Sequence, residues 1–543
     1  MTEPLHTGTT RSDVVVIGAG HNTLIAAAYL TRAGLSVTVL EEQDEPGGGT
    51  STREVTLPGF HDDLASTFHM YAQLNPAVGG DELGLVAEHG LRYVAPDPAL
   101  VSLQDGAEPV VMERSVEATA DAIGRYSAAD AQAFREMVAS YEPLLAERVR
   151  RSAVPPGTLP DNDASRRLDA LAARDGYSVV HETFADDRTR ALLLGFAAAI
   201  GDLSRPGSGF VPAEFALLLT RISGVTPIGG SAALPRALAE AVRSGGGQVL
   251  CGRRVDRIVV ENGRATGVLT TGGERFDAAK AVLSGAHVTQ LAALLGPDVA
   301  LPAEFDALRR WNNGGSVFQV HLALRDAPAF PGPGGPLRPV TATIGTAGGL
   351  AAQWRDIAAG TLSGDDRMTV ALAPSVVDPS RTPEGRASVR LFTYAPYRLN
   401  GDPARWDAEK EQYAEQLVAA YARNVTGFAS GDELARSVHT PVDLATMNRH
   451  FVDGGYMGGA MVPDQLGVNR PVKGWSSYRM PVPGLYQTGA CTHTGGGVSG
   501  WPGRNAARAL LEDLGIDPGK VMRDLKDLKD LKDLKDLKDL QNP

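Results

Sequence analysis

The stretch from Val14 to Glu41, V-V-V-I-G-A-G-H-N-T-L-I-A-A-A-Y-L-T-R-A-G-L-S-V-T-V-L-E, constrains the fold more than any other part of the chain. Four consecutive β-branched residues, Val14 to Ile17, predict a strand buried on both faces, as in a parallel sheet. A turn at Gly18 and Gly20 then leads into an Ala-rich helix over Asn22–Arg32, ended by Gly34. A second strand, Ser36–Leu40, brings Glu41 to its carboxyl end, about 20 residues past the glycines, where an acidic side chain accepts hydrogen bonds from a ribose hydroxyl. Gly18 permits the tight turn, and Gly20 lets the backbone approach a pyrophosphate held by the free N–H groups and dipole of the helix start. This is the pattern of a β-α-β dinucleotide site. Thr23 stands where the fingerprint places a third glycine, which predicts a helix set slightly further from its strand.

A chain of 543 residues, 43% apolar, can bury large cores and is long enough for two or more domains. Its formal net charge of −12 argues against a nucleic-acid partner and for small molecules. Cys251 and Cys491 make neither a disulfide framework nor a metal-site spacing, so no metal is expected. The first dozen residues lack the apolar core of a signal peptide, and the richest apolar run, Ala191–Ile200, is half the ~20 residues a bilayer requires. Cytoplasmic residence is expected. Peripheral membrane contact and homo-oligomerisation are left open.

After Glu41, the glycines Gly47, Gly48 and Gly49 form a loop able to run close to a phosphate or a flavin edge. From Ser115 to about Arg221 the pattern is helical, with segments near Ala128–Arg150, Ala164–Ala173, Thr189–Ile200 and beyond Pro212, which predicts a helical insertion. The loop T-P-I-G-G at Thr226–Gly230 precedes a helix through Arg243. Three short strands, Gln248–Cys251, Val255–Val260 and Ala265–Thr270, then predict a β-meander turned at Asn262–Gly263. A strand at Ala279–Ser284 rejoins the main sheet. Strands at Ser316–Leu324, Met368–Ala373 and Ser388–Thr393 and a helix over Ala408–Asn424 suggest a second, substrate-facing sheet. Gly345, Gly348 and Gly349 lack the strand and acidic residue of a second nucleotide fingerprint, so no separate NAD(P)H domain is expected. The C-terminal repeat of Asp-Leu-Lys from Asp524 puts its leucines on no single helix face and reads as a solvated appendage.

The other chemical centre is a strand over Leu485–Thr488, a turn from Gly489 through T-H-T-G-G-G-V-S-G, and a helix over about Gly503–Leu514. Backbone N–H groups at such a helix start can face the pyrimidine end of a flavin, where negative charge develops on reduction. That favours FAD over NAD.

With this motif in place the chain resembles the FAD-dependent phytoene desaturase and carotenoid isomerase group of the amine-oxidase-like superfamily, and most closely its pyridine nucleotide-disulphide oxidoreductase domain branch. The likeness rests on G-A-G-H-N (Gly18–Asn22), E-x-x-x-x-P-G-G ending at Gly48, P-G-F (Pro58–Phe60), T-P-I-G-G, P-D-Q-L (Pro463–Leu466) and T-H-x-G-G-G-V-x-G-x-P-G-R-N-A-A (Thr492–Ala507). It implies an α/β fold: a discontinuous Rossmann-type FAD-binding domain over 1–75, 225–300 and 440–515, and an α+β substrate domain with the helical insertion over 76–224 and 301–439. The tail covers 520–543. It also implies FAD pyrophosphate at Gly18, Gly20, His21 and Asn22 and ribose at Glu41. Adenine-side contact falls to Val255, the Gly48–Gly49 and Gly489 turns approach the cofactor, and isoalloxazine contacts come from Gly497, Val498, Ser499, Gly500 and Trp501. Gly49 stands where many relatives carry arginine, a contact Arg53 could replace.

A flavin beside an apolar cavity suits removal of a hydride and a proton from a hydrophobic or alicyclic substrate, with oxygen or a quinone as electron acceptor. His493 is the candidate proton acceptor, weighed against a structural role in its turn. Cys491 reads as an inert buried thiol rather than a flavin link. The alternatives are an oxidase of small amines, a redox-neutral isomerase working through reduced flavin, and a non-catalytic flavin scaffold. Amine oxidases commonly carry Gly-Glu in the last flavin motif, whereas this chain has Gly489-Ala490.

Overall fold

The computed structural model describes residues 10–158, 161–429 and 431–523. The Asp-Leu-Lys repeat therefore lies outside the described residues. The architecture is α/β. At its centre the strand Thr10–Ile17 pairs parallel with Val37–Leu40 on one side and with the long strand Arg275–Ser284 on the other. All four residues Val14–Ile17 are buried, as expected of a parallel sheet covered on both faces. Leu485–Gln487 adds in parallel to the far edge of Val282–Ser284, so the turn at Gly489 opens beside the turn at Gly18. The helix His21–Arg32 is buried from Asn22 to Thr31 and packs against the helix Trp501–Asp513. These helices come so close that a Cβ on Gly503 would lie 2.0 Å from the Asn22 carbonyl oxygen.

One expectation is corrected. The strand Gln248–Leu250 does not join a meander but pairs parallel with Val37–Leu40 at the sheet edge. The meander consists of Val255–Glu261, Arg264–Thr270 and the start of Arg275–Ser284. Its first turn is of the primed kind, with φ of 50° at Asn262 and 74° at Gly263, which matches the twist of the flanking strands.

The second sheet is built on Ser316–Leu324 and Ala387–Ala395, paired antiparallel in full register from Ser316↔Ala395 to Leu324↔Ala387. Every residue of both strands is buried. Thr369–Leu372, Thr341–Ile344, Leu100–Leu103 and Val110–Met112 extend it on one side and Glu433–His439 on the other. The helices of the insertion, chiefly Ala128–Ser152, Asp187–Gly195 and Val211–Ile222, share an apolar core with this sheet through Leu193, Phe196, Phe215, Val317, Val370 and Phe392. Among the described residues no helix is long and apolar enough to cross a membrane.

Candidate active site

Both glycine-rich turns and the second sheet face one cavity of ≈ 810 Å³. At one end the helix His21–Arg32 starts behind Gly20 with no side-chain cap and no acidic residue in its first turn, so its leading N–H groups and dipole are free for an anion. A Cβ on Gly18 or Gly20 would meet no protein atom within 4 Å: the space before these glycines belongs to the cavity. The Asn22 Oδ1 is buried without a partner. Glu41, 6% exposed, accepts the Ala19 N–H on Oε2 (2.6 Å) and the Gln43 N–H on Oε1 (2.9 Å), which leaves lone pairs for a ribose. Burial raises its carboxyl pKa. Gly48, Gly49 and Val255 line the same end. Arg53 lines it too, with its guanidinium 3.6 Å from Glu45. A Cβ at position 49 would sit 3.3 Å from the Phe451 ring, so a long side chain there would have to displace that ring.

Thr23 finds its room on the other side of the contact. Its Cγ2 occupies the place of a side chain at position 285, where a Cβ would lie 2.4 Å away and only 2.8 Å from the Ile17 carbonyl oxygen. The close approach is kept by moving the glycine from the helix to Gly285, past the end of the strand Arg275–Ser284. Thr23 Oγ1 also donates to the Gly20 carbonyl at 2.8 Å.

The C-terminal motif makes a turn in which Gly495, Gly497, Val498 and Gly500 all have positive φ. Val498, at 54°, is the β-branched exception, an uncommon conformation that concentrates at functional sites. Gly489, Gly497 and Val498 line the cavity; Ser499, Gly500 and Trp501 do not. The Ser499 carbonyl accepts from Asn75 Nδ2 at 2.9 Å, and a Cβ on Gly500 would strike Ile25 at 2.6 Å. Trp501 is buried in the helical core. These three position the turn from behind.

His493 also stands apart. Its Nε2 donates to the Arg151 carbonyl at 2.8 Å, and it lines a second cavity of ≈ 890 Å³. Burial lowers its pKa to about 4, so the ring is neutral. The same cause holds His21 and His450 at about 4 and His69 at about 3. Cys491 is buried and its thiol is pushed up to about 12.

A pair that sequence reasoning missed lies beside the flavin motif. The Tyr71 ring edge is 3.4 Å from where a Cβ on Gly497 would be, and its hydroxyl donates to Glu214 Oε1 at 2.8 Å. Glu214 is fully buried, also accepts from Tyr141, and has Arg148 Nε 3.4 Å away on the side of the second cavity. Burial, then the Glu214 charge, hold the Tyr71 phenol well above its ordinary pKa. No linear signal joins two residues 143 positions apart. The T-P-I-G-G loop holds the segment carrying Tyr71: Thr226 donates to the Thr67 carbonyl at 3.0 Å, and the Ser231 N–H donates to Asp63 at 2.9 Å. Asp63 in turn is clamped by Arg381 at 3.1 Å. The substrate end of the cavity is walled by Phe68, Phe196, Phe215, Val317 and Phe392.

A parallel α/β sheet with an uncapped helix start, a buried acidic residue at the second strand's end and a cavity continuing into an apolar chamber defines a dinucleotide-dependent oxidoreductase. Comparison with known proteins gives the particular kind. The flavin-containing amine oxidoreductase model matches residues 24–511, and the chain belongs to that family. It is 30% identical to one of the limonene dehydrogenase chains of Castellaniella defragrans, over 93% of this chain and 95% of that one. It is 32% identical to the mouse pyridine nucleotide-disulfide oxidoreductase domain-containing protein 2, over 92% and 94%. The neurosporene-forming phytoene desaturase of Cereibacter sphaeroides is 26% identical over 94% and 96%. In fold, an oxidoreductase from Methanosarcina mazei matches with a TM-score of 0.61 at 16% identity, over 93% of this chain and all of that one. The chain is an FAD-dependent oxidoreductase.

Proposed function

We propose that the ≈ 810 Å³ cavity holds FAD at its glycine-lined end and a hydrophobic, alicyclic or polyene substrate at its apolar end, and that the enzyme desaturates that substrate. The observation that carries this is the continuity of one cavity from Gly18 and Glu41, past Gly497 and Val498, to Phe196, Phe215 and Phe392. The limonene and phytoene named for the relatives support the substrate class. When bound, FAD supplies the acceptor for a hydride. Gly18, Gly20, His21, Asn22, Glu41, Gly48 and Val255 would hold its dinucleotide portion. Gly489, Gly497 and Val498 would hold its ring, with Ser499, Gly500 and Trp501 behind them.

The chain's own part is to exclude water, orient the substrate and take the proton. Tyr71 Oη receives the substrate proton as its own passes along the 2.8 Å hydrogen bond to Glu214 Oε1. We assign this role to the Tyr71–Glu214 pair rather than to His493, whose Nε2 proton is committed to Arg151. Oxygen or a quinone then takes the two electrons. We further propose that 1–75, 225–300 and 440–515 form the cofactor-binding part, and 76–224 with 301–439 the substrate part.

The test is mass spectrometry of the product formed from alicyclic and polyene compounds and from small amines. A product two hydrogens lighter from a hydrocarbon-like substrate supports desaturation. A product of unchanged mass identifies an isomerase, and turnover of amines alone identifies an amine oxidase.

A further inference from the structure

Arg390 projects from the strand Ala387–Ala395 into the substrate end of the cavity, 6% exposed. Its Nη1 donates to the Asp63 and Ala65 carbonyls at 2.8 and 2.7 Å, which fixes the guanidinium plane. Among the described residues nothing accepts from its Nη2, and its Nε is buried without a partner. Among the same residues no carboxylate lies within 4.0 Å of it. Of the nearby acidic groups, Asp63 is paired with Arg381 at 3.1 Å, and Asp62, beyond 4.0 Å from Arg390, has its Oδ1 3.7 Å from His321 Nδ1 and its Oδ2 buried without a partner. The Phe392 ring centre lies 5.6 Å from the guanidinium carbon, and Val317 and Leu372 complete the wall. Gln319 projects from the neighbouring strand; its Nε2 donates to the Leu64 carbonyl at 3.1 Å and its Oε1 is unpartnered.

Buried arginines are nearly always paired or saturated, because an uncompensated charge in an apolar setting is costly. Arg470 shows the saturated case here: it has no ion pair among the described residues, but all three of its nitrogens donate to backbone carbonyls of Met457, Gly458, Ala460, Gln465 and Ala490. Arg390 differs in lining the chamber with no acceptor for its Nη2 among the described residues. We infer that Arg390 is the anchor for a carboxylate on the substrate, so that the preferred substrate is a hydrophobic carboxylic acid held with its apolar body toward the flavin end. This rests on the proposed function and narrows it.

The test uses the FAD-loaded enzyme and two probes, an alkyl-substituted cyclohexanecarboxylate and its methyl ester, with binding followed by perturbation of the flavin absorbance. The acid is expected to bind at least about 10-fold more tightly than the ester, as one charge-assisted hydrogen bond supplies. That preference is lost in Arg390→Gln and largely kept in Arg390→Lys, with flavin content and melting temperature confirming that both variants fold. Equal binding of acid and ester, or a preference that survives Arg390→Gln, overturns the inference while leaving the chamber a substrate site. If neither probe nor the corresponding hydrocarbon perturbs the flavin, the proposed function fails with it.

Discussion

Replacing Gly285 by alanine probes the contact that substitutes for the missing third glycine of the fingerprint. The new Cβ would lie 2.4 Å from Thr23 Cγ2 and 2.8 Å from the Ile17 carbonyl oxygen, where ordinary contact begins near 3.4 Å. The start of the helix must therefore retreat by about 1 Å, an overpacking strain of about 1–3 kcal/mol. That end of the helix carries the N–H groups facing the cavity, so the strain emerges as weaker FAD binding, by about 5- to 150-fold. Titration of apo-protein with FAD, read by quenching of flavin fluorescence, measures it. Thr23→Ala removes Cγ2 and leaves Cβ at 3.7 Å, but also removes the bond to the Gly20 carbonyl, worth about 0.5–1.5 kcal/mol. The double variant should be less impaired than the sum of the single ones by at least about 0.5 kcal/mol. Strict additivity would show that the two residues do not share the contact and would refute the compensation.

Tyr71→Phe keeps the ring beside Gly497 and removes the hydroxyl; substrate-driven flavin reduction should slow by about 10²-fold or more with FAD affinity unchanged, and an unaltered rate would remove Tyr71 from the proton path. The half-buried, cavity-lining His21 and His450 and the fully buried His69 have folded-state pKa values of about 4, 4 and 3, below the ordinary 6.5. Their contribution to stability is complete above pH 6.5 and is lost as the pH falls toward 4, so unfolding should set in within that window with uptake of more than one proton. A fold whose stability stays unchanged through pH 4 would contradict it. Val498→Gly relieves a left-handed β-branched residue, φ 54°, worth about 1–2 kcal/mol, but strips a core side chain worth about 1.5–3 kcal/mol and adds glycine's chain entropy of about 0.5–1 kcal/mol, so stability in denaturant unfolding should fall by about 1 kcal/mol; a gain would show that the strain outweighs the packing.

The β-α-β unit was legible because Val14–Ile17, the turn glycines and Glu41 are all local signals in a short window. The Asn262–Gly263 hairpin was legible for the same reason. The edge pairing of Gln248–Leu250 was not, since three short apolar residues suit a meander and a parallel edge equally, and the choice is made by Val37–Leu40, some 210 positions away. Leu100–Leu103 and Val110–Met112 likewise gain their place from Thr341–Ile344. In the site, the glycine loops were readable from backbone chemistry. The direction of His493 was not, because its ring is turned by Arg151 from a helix of the insertion. Tyr71, Glu214 and Arg390 sit in stretches with no motif, and only the packing of the insertion and second sheet against the cofactor sheet brings them to one chamber.

The central claim is that a single chamber joins the cofactor to a hydrophobic substrate, and anaerobic titration of the purified, oxidised protein with alicyclic and polyene compounds tests it most directly. Bound FAD at one per chain, bleached by such a compound without added reductant, is the predicted result. Stoichiometric FAD that these compounds leave oxidised while small amines bleach it would contradict the claim.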